Sequence, residues 1–384
     1  MKPTYDYIIT GSGCAGLSLL MRILLEPSLS KKKILVIDQA EKNKNDRTWC
    51  FWEEEPGLFE PIVHHRWNTF HFKATHHADT LSIRPYQYKM IRGEDFYRHV
   101  LSYATSFPNV YFLNERVLKV YTEGDKGIVE TQNGIYAAAY VFNSILFGDL
   151  SAQVRAQKKY LLLQHFKGWV IETATNCFDA DTATFMDFSV SQQYGTTFMY
   201  VLPVAPNKAL IEYTLFTEQL LPKEAYDQAL QAYIANQLNI NDYTILEEET
   251  GIIPMTNFSF PGHEGKIINI GIAGGQAKAS SGFAFQQIQR KTAAIVQSLV
   301  QRHHPIVKET LADKKFRWYD ATLLHVLHYQ KMPGDKVFTS IFQKNDTVAI
   351  LRFLDNRSDL LTDLKIMSTV PMHIFLPAAL KEIW

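Results

Sequence analysis

Two sets of residues in this 384-residue chain have types and spacings that could do chemistry. The first is Gly11, Gly13 and Gly16 in YDYIITGSGCAGLSLL (5–20), which fit G-x-G-x-x-G. Gly11 permits a tight turn, Gly13 lets the backbone come up to a pyrophosphate, and Gly16 lets the following helix pack close to the strand. The unpaired N–H groups of that turn, those of Cys14 and Ala15 among them, then face an anion at the positive helix end. Asp38 ends the apolar run ILVI (34–37), about twenty residues after the last glycine, where an acid accepts ribose hydroxyls. The second set centres on Glu212 in ALIEYTLF (209–216). With a period of two, Leu210, Glu212, Thr214 and Phe216 share one face, while Ala209, Ile211, Tyr213 and Leu215 share the other. The carboxyl therefore sits in an apolar row whichever face is buried. If that row lines a dry cavity, desolvation raises the carboxyl pKa and leaves a general acid at neutral pH; if it meets water, Glu212 is a plain strand carboxylate.

The elements that must position these groups follow from periodicity. A short β-rich run at 7–9, an apolar helix carrying Leu17, Leu19, Leu20 and Met21, and the strand at 34–37 make a βαβ unit. After a polar loop at 41–45 comes DRTWCFW (46–52), either a packed corner or a wall beside the cofactor, with Arg47 as its cofactor-facing residue. Phe70, Phe72 and Ala74 alternate with polar residues as in a half-buried strand, and 92–104 is helical, with Glu94 and Asp95 favoured in its first turn. Strands at 110–113, 117–121, 128–131 and 136–143 form a small meander, a device of FAD-binding folds more than of nicotinamide dehydrogenases. From Tyr160 the texture changes. Strands at 161–166, 169–173, 185–190, 197–202 and 209–216 read as an antiparallel sheet, followed by a helix at 223–237 and an acidic patch, Glu247 to Glu249, taken as a solvated face. IINIGI (267–272) then opens into Gly274, Gly275, Ser280, Ser281, Gly282 and Phe283 before a helix to about Arg302. This second glycine-rich loop is suited to the other end of a long cofactor, although its strand lacks a terminal acid.

The last eighty residues are helical in pattern, and the apolar tail from Val370 ends in Trp384; it packs on the body or anchors at a membrane interface. The expected architecture is α/β. A discontinuous Rossmann-type FAD-binding domain occupies 1–45, 86–155 and 260–300, an antiparallel-sheet substrate domain 46–85 and 156–259, and a helical C-terminal region 301–384.

Composition narrows the class. Apolar residues make up 46% and charged residues 20%, and 39 basic residues cancel 39 acidic ones, so no nucleic-acid surface is expected. Cys14, Cys50 and Cys177 form no C-x-x-C pair, which suits a reducing interior. The histidines at 64, 65, 71, 76 and 77 lack carboxylates or cysteines at ligand spacing, so no metal site is expected. With the first strand starting at Tyr5 there is no signal peptide, and no run of eighteen apolar residues spans a bilayer; the expected location is cytoplasmic. The 24 Phe, 19 Tyr and 6 Trp suit a core or a large apolar ligand cavity.

Eight segments in order give the chain a resemblance to the bacterial lycopene β-cyclases, flavoproteins that close the ends of linear carotenoids. They are the glycine turn, DRTWCFW (46–52), MDF (186–188), FMYVLP (198–203), LIEYTLF (210–216), GIIPM (251–255), AGGQAKASSGFAF (273–285) and ILRFLD (350–355). Ala279 stands where that family commonly has proline, and Phe283 replaces its usual tyrosine. The resemblance implies a redox-neutral isomerisation with reduced FAD, in which Glu212 corresponds to the family's acidic strand motif and Asp187 to its Met-Asp motif. It implies FAD contacts from Gly11, Gly13, Cys14, Ala15, Gly16, Asp38, Arg47, Gly274, Gly275, Gly282 and Phe283. NADPH or an outside donor would keep the flavin reduced, with none consumed per ring. Asp187 and the faces of Trp49, Phe51 or Tyr213 would stabilise cations formed from lycopene. A bilayer-borne substrate implies peripheral attachment to the inner face of the cytoplasmic membrane, beside other carotenoid enzymes. The rival readings are a flavin monooxygenase or polyprenyl reductase, which consume NADPH stoichiometrically, and a non-catalytic lipid carrier on the same scaffold.

Overall fold

The computed structural model describes residues 3–383, so Trp384 lies outside the described residues. Strand β1 (Thr4–Thr10) runs into helix α1 (Cys14–Leu25), buried along nearly its whole length, and β2 (Ile34–Asp38) returns parallel to β1. The chain continues through β3 (Thr48–Glu53), β4 (His65–Trp67), β5 (Thr69–Ala74), β6 (His77–Ser82), β7 (Gln87–Arg92) and α2 (Gly93–Ala104). Next come β8 (Val110–Asn114), the meander β9 (Val117–Glu123), β10 (Lys126–Thr131) and β11 (Ile135–Asn143), and a short α3 (Leu150–Ala156). The second half holds β12 (Leu161–Glu172), β13 (Thr182–Asp187), β14 (Thr196–Ala205), β15 (Lys208–Thr217), α4 (Lys223–Asn236), β16 (Thr244–Thr256), β17 (His263–Glu264) and β18 (Ile267–Asn269). Helices α5 (Phe285–Arg302), α6 (Leu311–His328), α7 (Gly334–Lys344), α8 (Thr347–Leu354), α9 (Leu360–Met367) and α10 (Met372–Lys381) complete it.

The first sheet has the parallel order β18-β11-β1-β2-β8, with β17 on its edge, β10 attached to β11 and β9 to β10. Its apolar strands pack on α1, α2 and α5, as a nucleotide-binding α/β layer requires. The second sheet runs β16-β12-β15-β14-β13-β5-β6. One of its faces is covered by α4. The other is covered by α6 to α8 and by a three-stranded sheet, β3-β7-β4, which straddles the expected boundary at 85–86.

Local expectations change: the strand expected at 185–190 runs over 182–187, the one expected at 267–272 ends at Asn269, and β13 pairs parallel with β5 in the sheet expected to be antiparallel. The strands expected at 161–166 and 169–173 are one twelve-residue strand that passes through Gly168 without a break, because pairing on both sides holds it extended. The acidic patch is not a solvated face. Glu247 to Glu249 lie inside the thirteen-residue β16, antiparallel to β12, so their side chains alternate between the two faces.

Candidate active site

Register determines the neighbours of Glu212. It sits opposite Gly168 of β12 and, on its other side, opposite Tyr200 of β14, while Gly168 is in turn opposite Glu249 of β16. One row across four strands therefore reads Glu249, Gly168, Glu212, Tyr200, with all four on the same face. The bare position between the carboxyls gives them room. A Cβ at Gly168 would come within 3.3 Å of Glu249 Cγ and 2.9 Å of Leu210 Cδ1, so the Glu249 chain leans over the glycine. This is the aromatic face of the sheet, carrying Phe198, Tyr200, Leu210 and Phe216, and Tyr88 and Trp52 pack into the same core from β7 and β3.

The electrostatics follow from that enclosure. Burial, then the charge of Glu249, raises the Glu212 carboxyl from 4.5 to about 8, and the hydrogen bond from Thr214 Oγ1 at 2.6 Å pulls it back only in part. Glu249 is also raised by burial; Thr48 Oγ1, donating at 2.7 Å, and nearby Arg47 act against this. Both side chains keep some accessible surface, so they are ringed by protein without being wholly removed from water. At neutral pH Glu212 holds its proton, which is what a general acid requires.

The dinucleotide cradle is built from two turns. Gly11 takes φ +90°, and Gly13 caps α1 with no side-chain bond to the helix N–H groups. A Cβ on Gly16 would lie 2.0 Å from the Gly11 carbonyl oxygen, whereas one on Gly13 would meet nothing within 4 Å. Gly13 thus leaves open space at the N-terminus of α1, as a pyrophosphate site needs. Burial pushes the Cys14 thiol up to about 12, so it acts there as a neutral group. Asp38 braces the turn, accepting from Ser12 N at 2.7 Å, Ser12 Oγ at 2.9 Å and Ala40 N at 2.9 Å. Burial would raise its pKa, but those bonds and Lys42 at 3.4 Å hold it below the ordinary value.

The second turn touches the first, since a Cβ on Gly271 would sit 2.9 Å from that of Ala15. Beyond it, Gly274 lies close on Asn269 and Gly275 caps the turn, both lining a cleft of about 550 Å³. Lys278 Nζ pins the loop to Asp320 and Asn356, each at 2.6 Å. Gly282 lies against Gln164 of β12. Gln164 Oε1, Gln276 Nε2 and Ser281 Oγ are buried without partners among the described residues, and these orphaned atoms fit the polar edge of a bound dinucleotide.

Two of the expected cofactor residues lie elsewhere. Arg47 is exposed and donates to the carbonyls of Thr250 at 3.1 Å and Asp46 at 3.0 Å, beside Glu249 rather than at the glycine turns. Phe283 stands edge-on to Trp52 at 4.8 Å and joins the aromatic face, next to a water-sized cavity of about 20 Å³ lined also by Cys50 and Phe285.

Asp187 is not brought to Glu212. Its register with Met199, itself opposite Tyr213, puts it on the α4 face, fully buried, with bonds from Tyr233 Oη at 2.7 Å and Ser189 N at 2.9 Å. The aromatic faces expected near the cation are likewise displaced. Alternation along β3 sends Trp49 and Phe51 into the nucleotide-side core, where Phe51 stacks on Phe285 at 4.2 Å, and Tyr213 packs under α4. Tyr88, Tyr200 and Trp52 take their place. Glu249 and Gly168 were missed, although alternation of Glu247 and Glu249 about Glu248, running into the strand-like GIIPM, was the signal that could have found them.

Comparison with known proteins agrees with this architecture. A family model described as Lycopene cyclase protein matches residues 6–380. A lycopene beta-cyclase of Pantoea ananas is 26% identical over 267 residues, 67% of this chain, and the match spans 64% of that relative's length. Among solved structures, a geranylgeranyl bacteriochlorophyll reductase-like protein of Thermoplasma acidophilum matches with a TM-score of 0.67 at 13% identity, over 100% of this chain and 99% of its own. A flavoprotein/dehydrogenase of Cytophaga hutchinsonii gives 0.64 at 12% identity, over 99% and 98%. These two likenesses are of fold. The family match takes in both glycine turns, the Glu212 strand and all but the last helical residue, and the chain belongs to the lycopene cyclase family.

Proposed function

We propose that the protein is a lycopene β-cyclase that closes the linear ends of lycopene to β-ionone rings, giving γ-carotene and then β-carotene, with no net redox change. The observation that carries this reading is Glu212, a carboxyl held protonated in an aromatic face. Glu212 gives its proton to the terminal trisubstituted alkene. The tertiary cation that results is attacked by the neighbouring double bond, a six-membered ring forms, and loss of a ring proton leaves the β double bond. Tyr88, Tyr200 and Trp52 offer π faces to the cations, and α6 to α8 cover that side of the sheet.

Gly11, Gly13, Gly16, the N–H groups of Cys14 and Ala15, Asp38, Gly274, Gly275 and Gly282 would hold FAD, which in its reduced form would supply negative potential to the site. NADPH or another donor would serve only to keep it reduced. Asp187 acts as a positioning residue, tying β13 to α4 through Tyr233. The apolar substrate is drawn from a bilayer to which the protein attaches peripherally. A polyprenyl reductase is the alternative suggested by the fold likeness to a reductase-like protein.

The test is to incubate pure protein with lycopene in liposomes and chemically reduced FAD in heavy water. Cyclic product carrying one deuterium per ring is expected. Stoichiometric NADPH consumption, or saturation of a double bond without ring closure, would favour the reductase.

A further inference from the structure

Resting on the reading above, we propose that Glu249 is the second carboxyl of the acid site: it shares one proton with Glu212 across Gly168, keeps that proton on Glu212 between turnovers, and supplies the second negative charge when the substrate cation forms. Three features carry the pairing. The two glutamates are in register on the same face, two strands apart, with a glycine between them. The Glu249 chain leans over that glycine, into the volume that any side chain at 168 would fill. Each carboxyl accepts a single threonine hydroxyl, Thr214 for Glu212 and Thr48 for Glu249, so each has lone pairs left to share.

The groups facing the pair leave it as the local proton store. Cys50 from β3 and Tyr88 from β7 are raised well above their ordinary values, by burial first, and Tyr200 from β14 likewise, so all three are neutral at working pH. Arg47 and Asp46 act on Glu249 with opposite sign from the segment before β3, and Glu247, on the same face, is tied to Arg92 at 3.2 Å and Asn45 at 2.6 Å. Burial, then the charge of Glu249, acts against ionising Glu212, so the pair rests with one proton and one charge.

The proton count closes over a turnover. The Glu212 proton goes to the terminal alkene carbon, whose π pair becomes the new C–H bond, and the pair now carries two charges opposite one carbocation. The neighbouring π pair forms the ring C–C bond. A ring C–H pair then becomes the new double bond, and its proton returns to the doubly charged pair. Mutual repulsion drives that return, so a second carboxylate both stabilises the cation and resets the acid.

The experiment compares wild type with Glu249→Gln and Glu249→Asp as FAD-loaded enzymes on lycopene in liposomes, following kcat against pH, KM and flavin content. Glu249→Gln removes the charge that holds the Glu212 proton. Its kcat should fall roughly tenfold or more, and the alkaline limb of the profile should move down by about one pH unit or more, with flavin content and KM unchanged. Glu249→Asp should recover part of both. The carboxylic C=O infrared band, followed against pH in Glu249→Gln and in Gly168→Ala, reads the same shift without turnover. A Glu249→Gln enzyme with wild-type kcat and an unmoved alkaline limb and infrared titration would overturn the pairing. Wild-type enzyme that forms no ring would instead remove the cyclase reading itself.

Discussion

At Glu212 the shelter that makes an acid also makes a liability of the folded state. Its carboxyl is raised from 4.5 to about 8 on folding, burial being the larger cause, so between those values the native chain binds more protons than the unfolded one. Stability from this group is fully present below about pH 4.5 and is lost as pH rises to about 8. Glu212→Gln, which cannot ionise, should therefore be more stable than wild type at pH 8, by on the order of 4 kcal/mol, and equal to it near pH 4. Urea midpoints at the two pH values measure this, and a constant difference between the proteins would contradict the assignment. The Glu212→Ala chain should keep its flavin absorbance and make no ring; wild-type ring formation would remove Glu212 as the acid. Asp187 predicts the opposite pattern. Tyr233→Phe, which strips one bond from a buried carboxylate, should cost about 1–3 kcal/mol of stability and leave the pH profile of kcat where it was. An alkaline limb that moved with Tyr233 would return Asp187 to the chemistry.

Elements differ in how far their sequence alone specifies them, and the glycine turn is the clearest case. Two of its three glycines do different work, Gly13 facing open space and Gly16 its own backbone. Gly13→Val puts carbons into open space, so the protein should fold and purify flavin-free; Gly16→Val forces a Cβ to 2.0 Å from the Gly11 carbonyl and should lose folded protein altogether. Thermal melts with flavin absorbance separate the two, and a flavin-loaded Gly13→Val protein would speak against a phosphate at this turn. This turn, with α1, β1, β2 and the Asp38 at the strand end, was legible because the pattern is local. The face of Asp187 was not. β13 shifts register between Thr184 and Asp187, and one extra residue reverses the parity on which alternation depends. Glu249 escaped for a related reason: a run of three acids reads as a wet surface until pairing with β12 is known to send alternate members inward. The surroundings of Arg47 and Phe283 were not legible, because sequence alone does not say which sheet their side chains meet.

Across the whole molecule the layers run from the second sheet through its aromatic face to α6, α7 and α8, with α9 packed on α8 and α10 on α6. Those two outer helices carry the apolar surface anticipated for the tail. Leu360, Leu361 and Leu364 of α9 are exposed, Leu361 at 81%, and Met372, Leu376, Leu380 and Ile383 follow α10 at helical spacing, each more than half open. Lys365 and Lys381 flank them. Among the described residues no helix is long and apolar enough to cross a membrane, so these side chains suit shallow insertion at an interface. Such a surface would set the helical cover of the acid site against the bilayer that holds the substrate. Each leucine that enters lipid contributes about 1.5–3 kcal/mol, so replacing two of them by charge should weaken vesicle binding by at least about a hundredfold. The double variant Leu361→Glu, Leu376→Glu is expected to stay behind when wild type floats with anionic vesicles, to keep its flavin and melting temperature, and to lose ring formation from lycopene in liposomes. It should still cyclise lycopene delivered in detergent micelles, since Glu212 lies on the far side of α6 to α8 from both substitutions. Flotation equal to wild type would take α9 and α10 out of the membrane interface, and inactivity in micelles as well would trace the loss to the body of the enzyme.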